Sequence, residues 1–230
     1  AIAVPAILTQ VATPVGQAFV TRATSAYGEA AVAGMAIAGR LTPVAFGVIF
    51  ALSGAIGPII GQNFGAGRMD RVRRAFLDGL IFTGLVIVLV SAVLFVLRAP
   101  IADAFRAEGL TRDLVFLFCG PLALLWFFNG MIFVGNAICN NLGRPFWSTV
   151  VNWGRHTVGT IPLAIWLGGY WGAQGVLIGQ AIGGVVFGLA AAWLAVLAIR
   201  SPVHPVPRGR PAPEAAPETE PVASPGERRA

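Results

Sequence analysis

Long apolar runs separated by short polar breaks dominate the chain. A run of about 18 or more apolar residues is long enough to cross a bilayer as a helix. Six runs qualify: Val4–Thr21, Glu29–Gln62, Ala75–Leu97, Leu114–Asn140, Phe146–Leu167 and Ala173–Ile199. The second is longer than a bilayer needs and is expected to tilt or protrude. Pro43 removes a helix hydrogen bond and is expected to kink it, and Pro121 is expected to bend the fourth span. Leu80–Leu97 is almost pure Val, Leu, Ile and Phe, a surface suited to lipid. Arg98-Ala99-Pro100 is expected to end that span, leaving residues 101–113 as a short amphipathic connection. After Arg200 the pattern stops. Ser201–Ala230 is rich in Pro, Glu and Ala, cannot bury a core, and is expected to be a disordered tail.

Composition supports the membrane reading. Hydrophobic residues make up 56% and charged residues only 11% of the 230, against about 25% charged in a soluble domain. Mean hydropathy is +0.76. Net charge is +6 and all 16 basic residues are arginine, but they sit at the ends of apolar runs and in the tail. That placement speaks for membrane topology and against nucleic acid. Cys119 and Cys139 lie twenty residues apart in one run. On a straight helix that is about 30 Å, beyond disulfide reach, so both read as packing residues. The chain opens AIAVPAIL with no basic region before the apolar run, so a signal peptide is not expected. The missing initial methionine reads as a lost N-terminal segment.

Arginines near helix ends orient the bundle. Arg68, Arg71, Arg73, Arg74, Arg144, Arg200, Arg208 and Arg210 collect on one side, and only Arg22, Arg98, Arg106 and Arg112 on the other. The first side, which holds the 61–74 loop, the 140–145 loop and the tail, is expected to be cytoplasmic. An integral protein of a bacterial plasma (inner) membrane, with its C-terminus in the cytoplasm, is the expectation.

Polar residues inside the spans fall in rows. Thr9, Thr13 and Gln17 repeat at i, i+4 and i+8 in the first span, with Gln10 beside them. Trp126, Asn129, Phe133, Asn136 and Asn140 share one face of the fourth. Ser148, Asn152, Arg155 and Gly159 share one face of the fifth. Such rows face a cavity or a neighbouring helix rather than lipid. An arginine at the centre of a span costs roughly 2.5–3.5 kcal/mol to insert. Arg40 has three readings: snorkelling to an interface, pairing, or a role in transport. Arg155 lies deeper. His156 reads as a hydrogen-bonded packing residue or as a proton carrier. The candidate cavity set is therefore Gln10, Thr13, Gln17, Arg40, Trp126, Asn129, Phe133, Asn136, Asn152 and Arg155. Small residues also recur at helical spacing, at Gly57, Gly61 and Gly65, and at Gly175, Gly179 and Gly183 with Gly184 and Gly188 beside them. They allow close helix packing, or mark faces that slide. No HExxH, GxSxG or P-loop is present, no Cys/His cluster has metal spacing, and no enzymatic activity or cofactor is expected.

Two loop motifs carry a family resemblance. GQNFGAGRMDRVRRA (Gly61–Ala75, with Gln62, Asn63, Gly65 and Gly67) follows a glycine-rich helix, and NNLGRP (Asn140–Pro145, with Arg144) precedes the fifth span. With the PAILTQVATPVG opening and the AVAGMAIAGRLTP entry, residues 1–200 resemble the MATE family of multidrug and toxic compound extrusion transporters. That resemblance implies an all-α membrane protein whose six transmembrane helices form one lobe, the second, of a twelve-helix transporter. The first lobe would be the partner, in the same polypeptide. It further implies efflux of organic cations and drugs in exchange for sodium ions or protons, by alternating access. Some members couple ions through acids in helices that correspond to Val4–Thr21 and Leu114–Asn140, and neither carries one here. The coupling acid would then lie in the first lobe. Two alternatives stand beside this: a lipid-linked saccharide flippase of the same superfamily, and a non-transporting scaffold subunit.

Overall fold

The structure is a computed structural model that describes residues 3–201, by backbone alone for residues 3–10. The expected disordered tail lies outside the described residues, apart from Ser201. Eight α-helices follow one another: α1 (Ala3–Ser25), α2 (Glu29–Ala45), α3 (Gly47–Gly65), α4 (Met69–Ala104), α5 (Gly109–Leu117), α6 (Ala123–Asn141), α7 (Pro145–Gly154) and α8 (Ile161–Arg200). Single π-helical turns, Phe118–Leu122 and Arg155–Gly159, join α5 to α6 and α7 to α8. No strand occurs among the described residues.

The last apolar stretch, Pro145–Arg200, runs 56 residues, about 84 Å if straight and far more than one bilayer. It reverses at Trp171 and Gly172, where Gly172 takes φ +59°. Glycine tolerates that left-handed backbone because it has no Cβ. The two arms then pack back on each other through small residues. A Cβ on Gly179 would stand 2.7 Å from the Ala164 nitrogen, and one on Gly183 2.6 Å from the Gly159 oxygen. Backbone touches backbone here, as small-residue ladders permit in membranes. The hairpin makes two spans of one stretch, and α5–α6 and α2–α3 each make one. Six transmembrane helices result.

The two glycine-arginine loops are built alike. At the end of α3 the Arg68 N–H donates to the Asn63 carbonyl and the Gly67 N–H to that of Phe64, both at 2.9 Å. At the end of α6 the Arg144 N–H donates to the Cys139 carbonyl at 2.8 Å. Gly67 and Gly143 sit at φ +74° and +84°. This is the Schellman cap, which satisfies the last carbonyls of a helix and turns the chain sharply. At the far end of the bundle α4 closes with the same bonds, Ala107 to Ala102 and Arg106 to Asp103. There Arg106, at φ +50°, occupies the left-handed position a glycine would fill.

Two long-range hydrogen bonds fix which loops share an end. Arg144 Nη2 donates to the Ser201 carbonyl at 2.7 Å, and Thr111 Oγ1 to the Ala30 carbonyl at 2.8 Å. The 142–144 turn and the end of α8 thus lie together, and the 66–68 turn joins them through Phe64 and Val72, which pack in one cluster with Leu142 and Ala198; this arginine-rich end stands opposite Arg22, Arg98, Arg106 and Arg112. At that opposite end Arg112 pairs with Asp103 at 2.7 Å.

Three sequence expectations need adjusting. The second span breaks at Phe46 (φ −108°, ψ 16°), three residues after Pro43, which itself stays inside α2. Phe46 is buried at that break and stacks on Trp126 of α6. The third span does not end at Pro100, because α4 continues to Ala104 before its cap. Residues 101–113 therefore divide between the end of α4, a turn and the start of α5. Pro121 does lie at a distortion, with Gly120 at φ −95°, ψ −116°. The core packs around fully buried Phe46, Ile49, Leu114, Ile132 and Ile138. Cys119 and Cys139 are buried and unpaired.

Candidate functional site

Between α1, α2, α3, α6, α7 and the second arm of α8 lies a cavity of about 950 Å³. This is at the upper end of the range for small-molecule sites. It is the polar interior of an otherwise apolar bundle. Its residues come from the predicted rows and from others.

Eight of the ten sequence candidates line it: Thr13 and Gln17 from α1, Trp126, Asn129, Phe133 and Asn136 from α6, Asn152 from α7, and Arg155 from the π-turn. Arg40 is not among the lining residues and is exposed, although its neighbour Gly39 is. The side chain of Gln10 lies outside the described residues. His156 is buried away from the cavity and packs on α1, where a Cβ on Gly16 would stand 2.6 Å from its Cγ. The π-turn thus sends two consecutive polar side chains in different directions.

The amides are held by their own helices. Asn152 Nδ2 donates to the Ser148 carbonyl and Asn141 Nδ2 to that of Ala137, both at 2.8 Å. Thr42 Oγ1 donates to the Ala38 carbonyl at 2.8 Å. An amide that spends one donor this way keeps its second donor and its carbonyl oxygen for a ligand. Aromatic rings of α3 and α6 share the lining. Trp126 stacks on Phe46 with centroids 4.4 Å apart and planes 9° apart. Phe50 meets Trp126 edge-on at 6.2 Å and leans on Phe133 at 5.5 Å. This cluster fills the α2–α3 break, so the kink and the cavity wall are one feature.

Four polar lining groups lie outside the predicted rows: Thr42 of α2, Ser53 of α3, Asn141 of α6 and Gln180 of α8. A signal existed for α3, where Phe50, Ser53 and Gly57 repeat at i, i+3 and i+7. Gly57 was grouped with the packing ladder instead. The glycines of that ladder differ. A Cβ on Gly61 would stand 2.7 Å from Asn141 Oδ1, while Gly65 has nothing within 4 Å. Gln62 is exposed, and Asn63 Nδ2 bonds the Ile59 carbonyl. Arg144 lies over the Trp147 ring, 4.2 Å from its centroid. These loop residues cap and turn helices and do not reach the cavity.

Comparison with known proteins bears on what such a bundle is. The MatE family model matches residues 5–166. The chain belongs to the MATE transporter family. Two curated relatives lie close to this MATE chain. An uncharacterized 21 kDa protein of Pseudomonas savastanoi is 34% identical over 202 residues, covering 82% of this chain and 62% of the relative. A protein named FAD transporter from Shewanella oneidensis is 31% identical over 202 residues, covering 84% and 43%. The crystal structure of the Vibrio cholerae MATE transporter VcmN in its bent form superposes with a TM-score of 0.80 at 23% identity, covering 85% of this chain and 45% of that one. The MATE chain described here therefore spans about half the length of that structure, the extent of one six-helix lobe.

Proposed function

We propose that this MATE lobe forms one wall of a transport pathway for small organic solutes, worked by alternating access. The observation that carries the proposal is the large amide- and aromatic-lined cavity, set inside a bundle with the family's fold. Arg155 lies ten residues beyond Pro145, about 15 Å in from the arginine-rich end, which is half of a hydrocarbon core of about 30 Å. Transporters of repeated architecture place substrate near the midplane, where one repeat rocks against the other. Exposed Thr13 and Gln17 on α1 leave that side of the cavity for an opposing lobe.

Efflux driven by sodium ions or protons is the coupling proposed. Among the lining residues no aspartate or glutamate occurs, so the coupling carboxylate is assigned to the part of the relatives that this chain does not span. An organic cation is one candidate cargo, favoured by the Trp126 and Phe50 rings. Flavins are another, since the Shewanella relative is named for FAD. The test is tracer counterflow into proteoliposomes that carry the whole protein. Cargo-dependent exchange for at least one organic solute is expected, and its absence for cations, neutral solutes and anions alike would reject the reading.

We further propose that the 66–68 and 142–144 turns face the cytoplasm of a bacterial inner membrane. Replacing Arg71, Arg73 and Arg74 together with Ser should shift a fraction of molecules to the opposite topology, read by compartment-specific reporters fused after α4. An unaltered reporter pattern counts against the charge-based orientation.

A further inference from the structure

Among the described residues the cavity lining carries one formal charge, and it is positive. That charge is Arg155; its titratable neighbour, His156, points away into the α1 contact. Among the described residues no aspartate or glutamate lines the cavity, and the single ion pair, Arg112–Asp103, belongs to the far end of the bundle. The amides that share the lining, among them Gln17, Asn129, Asn136, Asn152 and Gln180, are neutral. A wall built to bind cations would be expected to show the opposite charge.

We propose that the cargo of this lobe is a planar aromatic anion, with Arg155 taking its phosphate or carboxylate and the Trp126–Phe50–Phe133 wall taking its ring. This deepens the alternating-access reading and rests on it. Helix rise gives the two contacts a workable separation. Trp126 lies fifteen residues before Asn141, about 22 Å from the arginine-rich end, and Arg155 about 15 Å from it. The axial offset of about 7 Å suits a fused ring joined to an anionic group by a short linker. Arginine presents a planar fork that bonds phosphate or carboxylate oxygens two at a time. Asn129, about 18 Å from the arginine-rich end and so between the two contacts, matches the carbonyls and ring nitrogens of a heteroaromatic system, because an amide offers both donor and acceptor. The cavity volume of about 950 Å³ accommodates such a solute. The desolvation cost of a mid-membrane guanidinium then has a function, since an anionic cargo offsets it during each transport cycle.

Three probes separate charge from ring: riboflavin, its phosphate ester flavin mononucleotide, and the planar cation proflavine. Counterflow of each is measured in proteoliposomes with the whole protein. The expected order is flavin mononucleotide above riboflavin by about tenfold or more, the scale of one charge-assisted hydrogen bond, with proflavine lowest. Arg155→Gln should collapse the ratio of the first two at least about tenfold, and Arg155→Lys should restore part of it. Should Arg155→Gln fail to reach the membrane, quenching of flavin fluorescence in purified native protein decides. Affinity for flavin mononucleotide should fall with rising salt while that for riboflavin holds. Proflavine transport without flavin mononucleotide transport, or an unchanged ratio in Arg155→Gln, overturns the anion assignment and leaves the transporter reading standing. Exchange of none of the three, nor of any other organic solute, would remove the transporter reading itself.

Discussion

α4 and the α6–α7 pair cross the same membrane with opposite surfaces. α4 runs 36 residues without a break. Its outer face shows Leu85, Val88, Leu89 and Val96, each more than 60% exposed, while Thr83, Ile87, Ser91 and Leu94 turn inward. Thr83 Oγ1 bonds the Gly79 carbonyl one turn back, while the buried Ser91 Oγ has no partner. α6 and α7 each adjoin a π-turn, and there the regular bonding is disturbed. In the second turn Thr160 Oγ1 donates to the Arg155 carbonyl at 2.8 Å, and beside it Thr157 Oγ1 donates to that of Trp153 at 2.6 Å. Lipid offers no hydrogen bonds, so a helix facing it must satisfy its own backbone. Irregular backbone is confined to where protein hydroxyls or a cavity can meet it. The contrast teaches where chemistry can sit in this fold: at the broken helices, not at the most hydrophobic one.

The most disruptive way to test that contrast is to move a charge across it. Leu89→Arg places a guanidinium on the lipid face, at a cost of roughly 2.5–3.5 kcal/mol on insertion scales. Membrane yield and thermal stability of the purified protein should both fall sharply. Gln180→Arg, on the cavity lining, should retain most of its folded yield. Equal losses in the two variants would mean that α4 does not face lipid or that α8 does not face the cavity.

Packing gives the next effect. Gly183→Ala drives a methyl into the Gly159 backbone, which cannot yield without separating the hairpin arms. Overpacking of this kind costs about 1–3 kcal/mol, read as a lowered melting temperature in detergent. Gly65→Ala has open space and should be neutral. A similar loss at both sites would remove the close-approach account of the α8 hairpin.

Much of this was readable from the chain. Apolar runs located the helices, because bilayer thickness sets a minimum length independently of neighbours, but not their ends: α4 overruns Ala75–Leu97 by six residues on one side and seven on the other. Row spacing found Trp126, Asn129, Asn136, Asn152 and Arg155, because a 3.6-residue period survives in any straight segment. What stayed hidden depends on packing across helices. The break falls at Phe46 rather than Pro43, where Phe46 stacks on the Trp126 ring, eighty residues away in sequence. Gln180 is a lone amide, and a single residue makes no row. Nothing in the chain separates Gly61, which has Asn141 against it, from Gly65, which has open space. Depth in the span already set Arg155 apart from Arg40, but that Arg155 lines the cavity and Arg40 does not shows only in the packed bundle.

The smallest effects should come from the neutral amides, and they sharpen the contrast most. Asn129 is buried, beside Gly184 at the α6–α8 contact, yet also on the cavity lining. Gln17 is exposed on α1 and reaches the same cavity. If these amides serve packing, Asn129→Ala should destabilise the bundle and Gln17→Ala should do nothing. If they serve cargo, both should change transport selectivity by about fivefold, the worth of one neutral hydrogen bond of about 1 kcal/mol. Folded yield should then stay near that of the parent. The cargo reading predicts the second pattern, in counterflow measured for the same solutes in both variants. A melting temperature lowered in Asn129→Ala alone, with selectivity unchanged in both, would assign the α6 row to helix association and leave Arg155 and the aromatic wall as the cavity's only recognition elements.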